Sequence, residues 1–164
     1  MSFLFRSLSA SVLIFTLTVG VQGGAKEEIN ALLDGFHKAA STGSYDDYFN
    51  RYANNSVFLG TDKSERWSIE EFKAYAKPAF ERGGWHYDVI ERHVMFGESP
   101  GIAWFDEILD NAGFGKCRGT GVVVKTDDSW KVAHYSLSLL IPNDIAHAVG
   151  KQSMQADMPQ STNH

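Results

Sequence analysis

The chain has 164 residues, of which 43% are hydrophobic, 13% aromatic and 21% charged, and its formal net charge is −5 at pH 7. This composition excludes a disordered, collagen-like or coiled-coil chain and is sufficient for one domain with its own core. The single cysteine, Cys117, excludes an internal disulfide and a cysteine-based zinc cluster. The acidic balance argues against a nucleic-acid partner, because phosphates favour a basic surface.

Residues 1–25 have the pattern of a secretory signal peptide. Arg6 precedes an apolar stretch from Leu8 to Val21, and small residues follow at positions 23–25. The alternative is an uncleaved membrane anchor, but the stretch is shorter than the roughly 20 apolar residues that span a bilayer. We therefore expect a secreted or periplasmic protein with no membrane contact once the signal is removed. One domain is predicted over residues 26–150, followed by a polar, disordered tail over residues 151–164.

Two helices are predicted at the start of this domain. Apolar residues recur at helical spacing over residues 29–40, and Gly43 ends the pattern. Ser44 is typical of an N-cap, and the helix expected after it has a wholly aromatic stripe formed by Tyr45, Tyr48, Phe49 and Tyr52. Such a stripe favours packing against a sheet over binding of a cofactor.

A third helix is indicated by its start signals. Ser68 and Glu71 have the spacing of a capping box, and Trp67 and Phe72 stand where a hydrophobic staple forms. Pro78 is expected to kink or interrupt this helix, because proline lacks an N–H and clashes with the preceding turn.

From residue 85 the hydrophobic period changes to that of strands. Turn-forming segments separate four predicted strands, and one short strand precedes the third helix: residues 57–59, 85–96, 102–109, 114–125 and 130–141. Successive strands joined by short turns pair antiparallel. The order predicts an α+β domain with its helices against one face of a curved sheet. The chain after Pro142 is predicted to be polar and frayed beyond a short turn around residues 144–149.

Six short segments, in this order, carry a resemblance to a known family: Gly60–Asp62, Glu65–Trp67, Ala103–Glu107, Gly119–Val122, Trp130–His134 and Ile141–Asn143. Through them the chain resembles the SnoaL-like branch of the nuclear-transport-factor-2-like (NTF2-like) superfamily. The resemblance implies a cone, in which a curved antiparallel sheet wraps around N-terminal helices and encloses a pocket, and it implies a dimer formed through the sheet. Members range from isomerases, cyclases and dehydratases to non-catalytic modules, so the fold does not fix the function.

Turn lengths predict which residues share a face of the sheet. A two-residue turn at 127–128 pairs Gly121 with His134, and an even-length turn at 111–114 pairs Asp106 with Gly119. One face then carries Trp104, Asp106, Cys117, Gly119, Gly121, His134 and Ser136. The glycines leave room beside His134 for a ligand or for the close approach of another backbone.

The opposite predicted face places Glu107 directly across from Arg118, with Tyr135 on the same side. Such a pair is most often structural, and an exposed one contributes only about 0–1 kcal/mol. In a pocket, the guanidinium group of Arg118 would instead anchor a polar group of a ligand. Large apolar residues on both faces require cover on both. We therefore expect helices on one face and a second subunit on the other, which makes a homodimer.

His134 and Asp106 are the candidate catalytic residues. A histidine near its usual pKa and a carboxyl group against the apolar wall of Trp104 could act as base and acid in proton transfer. The alternative is that His134 is a structural residue with satisfied hydrogen bonds. The candidate ligand-binding residues are Trp104, Glu107, Arg118 and Tyr135, together with Asp62 and Trp67 at the expected pocket mouth.

No metal site and no cofactor are predicted. The six histidines form no pair at i, i+4, and the nucleophile-elbow, phosphate-loop and zinc-protease motifs do not occur. Two functions of different class remain. One is a cofactor-free isomerase, dehydratase or cyclase acting on a small, largely apolar, ring-containing substrate. The other is an exported dimeric module that binds such a small molecule without transforming it.

Overall fold

The computed structural model describes residues 10–127 and 129–157, with side chains from residue 23 onward. Over this part of the chain, helices and strands follow one another in this order: α1 (Ala10–Ser41), α2 (Tyr45–Phe49), β1 (Tyr52–Leu59), β2 (Arg66–Ser68), α3 (Ile69–Glu81), β3 (Asp88–Phe96), β4 (Ile102–Asn111), β5 (Gly115–Thr126), β6 (Ser129–Leu139) and α4 (Asn143–Ala156).

The strands form a curved, unclosed six-stranded sheet in the order β2-β1-β6-β5-β4-β3. Strands β3 to β6 pair antiparallel in sequence, as predicted, whereas β1 lies parallel to β6. Helices α1 and α3 contact the same sheet. We call the face that carries Phe105 and Tyr135 the inner face, since both residues belong to the buried core with the helices. The predicted α+β class is therefore confirmed.

Helix α1 is longer than the sequence pattern indicates. It begins at Ala10 and continues past residue 25, where the predicted signal peptide ends. Residues 1–9 lie outside the described residues, and the signal peptide stays a prediction. Within the described part of the chain, we find no helix whose length and apolar content would carry it across a membrane.

The aromatic stripe after Ser44 is split between two elements. Helix α2 ends at Phe49, and Tyr52 is the first residue of strand β1 rather than the end of the helix. Tyr52 nevertheless stays in the core, and its hydroxyl group lies 3.1 Å from that of Tyr48. The stripe therefore packs in the core, mainly on Phe36 of α1 and on Phe72 and Phe80 of α3, rather than on the sheet as predicted.

Helix α3 begins as the sequence predicts. The Ser68 side chain accepts a hydrogen bond from the backbone N–H of Glu71, and the Glu71 carboxylate accepts one from the backbone N–H of Ser68 at 2.8 Å. Trp67 stacks on Phe72, with ring centroids 5.6 Å apart. The predicted interruption at Pro78 is wrong, because α3 continues to Glu81.

The chain after Pro142 is more ordered than predicted. Instead of a short turn around residues 144–149, helix α4 extends over 14 residues to Ala156, and none of its residues is buried. Residues 158–164, the rest of the predicted tail, lie outside the described residues.

The predicted pairing of β5 is wrong by one residue. Asp106 pairs with Thr120 and Glu107 with Gly119, because the loop between Asn111 and Gly115 has three residues. On the other side, Val123 pairs with Val132 as predicted, but a bulge follows, and His134 pairs with Val122 instead of Gly121.

A shift of one residue reverses the face on which a side chain lies. Cys117, Gly119 and Gly121 therefore lie on the inner face with Glu107 and Tyr135. The opposite, outer face carries Trp104, Asp106, Arg118, Thr120, Val122, His134 and Ser136. The predicted assignment holds for β4 and β6 and fails for β5.

Candidate functional site

An aromatic pocket lies between the inner face, the β1–β2 hairpin and helix α3. Its volume is about 240 Å³, and seven of its eleven lining residues are aromatic. We define the aromatic pocket by these eleven residues: Phe58, Gly60, Thr61, Glu65, Trp67, Phe72, Tyr75, Trp85, Tyr87, Phe114 and Leu137. Trp67 is the one predicted ligand-binding residue among them.

The hairpin and α3 build one wall of this pocket as a stack of rings. Phe58 of β1 stacks on Phe72 of α3, with centroids 3.9 Å apart and planes inclined by 13°. Trp67 of β2 stacks in turn on Tyr75, at 4.3 Å. Both hairpin residues are paired across the strands, which fixes their side. The capping box that starts α3 therefore also positions two rings of the pocket.

Trp85 and Tyr87 form the wall after α3. Gly84 has a positive φ of 78° and allows the chain to pass close to the carbonyl of Ala40, which accepts a hydrogen bond from Trp85 N–H at 3.1 Å. Trp85 then contacts Phe80 edge to face at 4.8 Å. Burial raises the pKa of Tyr87 to about 12, with a smaller contribution from Cys117, so its hydroxyl group is neutral at pH 7.

Glu107 is the centre of a buried polar network behind the pocket. Its carboxylate lies 2.7 Å from His37 Nε2, and it accepts hydrogen bonds from Arg92 Nε at 2.8 Å and from the Tyr135 hydroxyl group at 3.0 Å. Arg92 also donates to Asp34 at 2.7 Å. We call these five residues the Glu107 network. Glu107 is fully buried, and the Arg92 side chain is 7% exposed.

The network keeps Glu107 ionised. Burial alone would raise the pKa of the Glu107 carboxyl group, but hydrogen bonds and charge from His37, followed by Arg92, outweigh it and lower the pKa below its usual value. Burial and the neighbouring Glu107 charge raise the pKa of Tyr135 well above its usual value. Tyr135 is therefore a neutral donor to a carboxylate.

Two glycines of β5 make room for this network and for the core. A Cβ atom at Gly119 would lie 3.0 Å from Glu107 Cγ and against the Tyr135 hydroxyl group, and one at Gly121 would lie 2.7 Å from the Phe105 ring. Side chains at either position would collide with these groups. The predicted space beside these glycines exists, but core side chains fill it. At Gly121 the backbone carbonyl of His134 also approaches closely.

The candidate catalytic residues lie together on the outer face. His134 and Trp104 both flank Val122, while Asp106 flanks Thr120. One strand separates Asp106 from His134, and neither residue belongs to the aromatic pocket. Their role in proton transfer stays a prediction that the arrangement of the pocket does not require.

The other candidate ligand-binding residues are distributed over three places. Glu107 and Tyr135 share the inner face, as predicted, in direct contact. Arg118 does not face Glu107: it pairs with Ile108 and Ser138 and is exposed on the outer face. Asp62 lies in the hairpin loop, where its carboxylate accepts a hydrogen bond from Ser64 N–H at 2.8 Å. Hydrogen bonds from the Ser64 side chain and backbone lower the pKa of Asp62.

Sequence reasoning missed most of the pocket and three of the five residues of the Glu107 network, namely Asp34, His37 and Arg92. The signal for Arg92 was the alternation of side chains along β3, because Arg92 lies on the same side of the strand as Val94 and Phe96. For His37 the signal was its position in α1, one helical turn after the buried Leu33. Glu65 was missed because it lies in the hairpin loop, and Tyr87 because it precedes β3, whereas the sequence predicted it within a strand.

Solved structures with similar folds cover most of the chain. An NTF2-like protein of unknown function from Pseudomonas putida KT2440 superposes with a TM-score of 0.62 at 14% identity, over 74% of this chain and 91% of that one. Another from Shewanella oneidensis MR-1 gives 0.59 at 21% identity, over 70% and 98%. A proposed scytalone dehydratase from Novosphingobium aromaticivorans gives 0.63 at 10% identity, over 75% and 89%. At these identities the likeness concerns the fold alone.

The family of the chain is established by a sequence model. No curated protein matches the chain. The family model described as a SnoaL-like domain matches residues 29–142, which include all six strands and helices α2 and α3. The curved sheet and its nuclear-transport-factor-2-like neighbours agree with this match. The chain therefore belongs to the SnoaL-like domain family.

Proposed function

We propose that the protein binds a small, largely apolar, ring-containing molecule in the aromatic pocket. The observation that carries the proposal is the lining itself, in which seven aromatic side chains surround about 240 Å³. Pockets with mostly apolar walls and a few polar groups are the usual form of small-molecule sites. Aromatic rings prefer offset-stacked or edge-to-face neighbours, and such contacts add about 0.5–1.5 kcal/mol beyond the buried area.

The volume supports a ligand of one or two rings. Typical small-molecule pockets have volumes of about 300–1,000 Å³, and this pocket, at about 240 Å³, is below that range. A four-ring steroid would exceed the space between the hairpin and β6. The ligand class proposed here is accordingly a monocyclic or fused bicyclic compound.

The ionisable groups of the pocket favour binding over turnover. They are Glu65, Tyr75 and Tyr87, and burial raises the pKa of both tyrosines, so each remains a neutral hydroxyl group at pH 7. General acid–base catalysis needs groups whose pKa values lie close to the working pH. We therefore propose binding without chemical change as the activity of the pocket. Catalysis by Asp106 and His134 remains the alternative.

Export through a leader at residues 1–25 and dimerisation through the outer face are further proposals. The first is supported by the charge and hydropathy pattern of the sequence. The second is supported by the large apolar side chains exposed on that face, Ile102 and Trp104. Neither is needed for the pocket to bind a ligand.

Filling the pocket tests the proposal. Leu137 lines the pocket from β6, and Leu137→Trp should occupy its space and weaken binding of indole and 2-naphthol at least about tenfold, or roughly 1.4 kcal/mol. Isothermal titration calorimetry measures the affinities, and circular dichroism checks the fold. The matched control is Ile102→Trp, which places the same side chain on the outer face of the same sheet.

Two results would overturn the proposal. One is that the wild type binds neither indole nor 2-naphthol. The other is that a correctly folded Leu137→Trp variant binds them as tightly as the wild type, which would place the binding elsewhere.

A further inference from the structure

We propose that the aromatic pocket selects organic cations, namely an alkylated ammonium group carried by a small apolar body. This inference rests on the proposed function, since it names the class of ligand that the same pocket takes. It follows from one juxtaposition. Among the described residues that line the pocket, Glu65 is the one charged side chain, and it stands beside the stacked rings of Trp67 and Tyr75.

The Glu65 carboxylate is fixed at the pocket by neutral groups. Its Oε2 atom accepts a hydrogen bond from Asp62 N–H at 3.1 Å, and the Tyr75 hydroxyl group lies 3.5 Å from its Oε1 atom. The backbone of Glu65 closes the hairpin loop, because its carbonyl accepts a hydrogen bond from Gly60 N–H at 2.9 Å. A Cβ atom at Gly60 would lie 2.9 Å from Glu65 Cβ, so the glycine permits this side chain to fold back.

The nearby basic side chains are directed elsewhere. Lys63 forms an ion pair with Asp157 after helix α4. Arg66 pairs with Leu59 across the hairpin, and this pair lies on the outer side, opposite to the pair of Phe58 and Trp67. Over the described residues, Glu65 forms no ion pair. Among the described residues, the carboxylate thus has neutral hydrogen-bond donors but no cationic partner at the edge of an apolar cavity.

A cation satisfies both kinds of lining group at once. The faces of aromatic rings carry negative electrostatic potential and attract ammonium groups, most strongly at tryptophan, and desolvation increases the attraction. A half-buried carboxylate beside apolar rings adds a Coulomb attraction that is stronger than at a fully exposed site. The Glu65 carboxylate would repel an anionic ligand. A neutral ring would gain no Coulomb attraction from it.

A pair of ligands of the same shape separates charge from apolar contact. Phenyltrimethylammonium and tert-butylbenzene differ mainly in replacing nitrogen by carbon, and titration calorimetry with each gives two affinities. We expect the wild type to bind the cation about tenfold more tightly. The preference should shrink as the salt concentration rises, because ions screen the carboxylate.

Glu65→Gln removes the charge and keeps the shape of the side chain. We expect it to weaken binding of phenyltrimethylammonium about tenfold and to leave tert-butylbenzene unchanged. The matched control is Glu81→Gln, which removes one charge at the exposed end of α3, outside the pocket, and should alter neither affinity.

The outcomes distinguish this inference from the proposed function. If tert-butylbenzene binds the wild type as tightly as the cation does, selection of cations is refuted and binding of apolar rings stands. The same follows if Glu65→Gln leaves the cation affinity unchanged. If neither compound binds the wild type but indole or 2-naphthol does, selection of cations is refuted and the proposed function stands. If none of the four binds, both proposals fail. The wild-type affinities for phenyltrimethylammonium and tert-butylbenzene can be compared without any variant. Selection of cations can therefore be tested even if the Glu65→Gln protein does not fold.

Discussion

Glu107 is a charged residue in the interior whose energetics can be argued from its contacts. Transferring a carboxylate from water into the core is costly, and only close opposite charges and hydrogen bonds offset this. Glu107 has both, from His37, Arg92 and Tyr135. A buried ion pair such as Glu107–Arg92 need not make the fold more stable than apolar side chains in the same place would. Removing one of its two residues, however, leaves the other as an uncompensated buried charge.

Neutralising this carboxyl group should destabilise the protein and change its response to acid. We expect Glu107→Gln to lower the free energy of unfolding at pH 7 by about 3–5 kcal/mol, since the charge of Arg92 loses its buried partner and keeps only the exposed Asp34. The folded pKa of Glu107 lies below the ordinary value of 4.5. Its contribution to stability is therefore complete above about pH 4.5 and is lost as the pH falls through the folded pKa. Urea denaturation from pH 3 to 7 should accordingly show a flatter acid limb in the variant.

An exposed glutamate provides the comparison. Glu70 pairs with Lys73 at 2.8 Å but is 75% exposed, so Glu70→Gln should change stability by less than about 0.5 kcal/mol. If Glu107→Gln does not fold, Tyr135→Phe removes one donor and should cost about 1–3 kcal/mol. Equal stabilities of the Glu107 and Glu70 variants would show that the buried carboxylate is not held as described.

At the scale of elements, helix α3 links local sequence to the pocket. The residues that start it, Ser68 and Glu71, exchange reciprocal hydrogen bonds and satisfy N–H groups that a helix end leaves free. The same helix supplies Phe72 and Tyr75 to the pocket wall. Its first turn therefore affects both stability and the placement of these rings.

Removing the cap should cost a measurable part of this stability. We expect Ser68→Ala to lower the free energy of unfolding by about 1 kcal/mol, measured by urea denaturation. Ser44 offers a matched control, because it precedes α2 at the same position but makes no side-chain capping bond. Ser44→Ala should change stability by less than about 0.5 kcal/mol. Equal losses in both variants would contradict a specific role for the capping box.

Periodicity and start signals were sufficient to predict these elements, whereas their register was not predictable. The strands β3 to β6 and the cap of α3 follow from local pattern. The exchange of faces on β5 arises from a loop before Gly115 that has three residues instead of an even number, and from a bulge between Val122 and Val123. Neither has a strong local signature. Because side chains alternate along a strand, an error of one residue in register placed Arg118 on the inner face and the two glycines on the outer face, the reverse of their true positions.

The candidate site was harder to predict than the fold, because it depends on register and on contacts between residues distant in sequence. Glu107 and Tyr135 were predicted to contact a ligand from their strand positions, and Trp67 from its place at the expected pocket mouth. Trp67 lies in the pocket. Arg92 and His37 join Glu107 from positions 15 and 70 residues away in sequence. The Arg92 contact is a cross-strand pair of β3 and β4 and needs the correct register, whereas the His37 contact depends on how helix α1 lies on the sheet, which no local pattern encodes.

At the scale of the whole molecule, the two faces of the sheet differ in cover. The inner face packs on the helices, while the outer face leaves Ile102 and Trp104 45% and 43% exposed. Trp104 stands between Met95 and Val122 on neighbouring strands, which makes the exposed surface continuous across β3, β4 and β5. Continuous apolar surface of this kind is typical of an interaction site.

A second copy of the chain is the occupant that we expect on this face. Sedimentation equilibrium should give the mass of a dimer for the wild type, and Trp104→Glu should shift the protein towards the monomer, because the introduced charge would be buried without a partner. Met154→Glu is the control, since Met154 is 66% exposed on α4 rather than on the strands that carry Ile102 and Trp104. If the protein is a dimer, its melting temperature should also rise as the protein concentration increases. A wild type that stays monomeric at high micromolar concentration would refute the dimer and leave Asp106 and His134 open to solvent, where a proton-transfer site would lack the apolar wall that it requires.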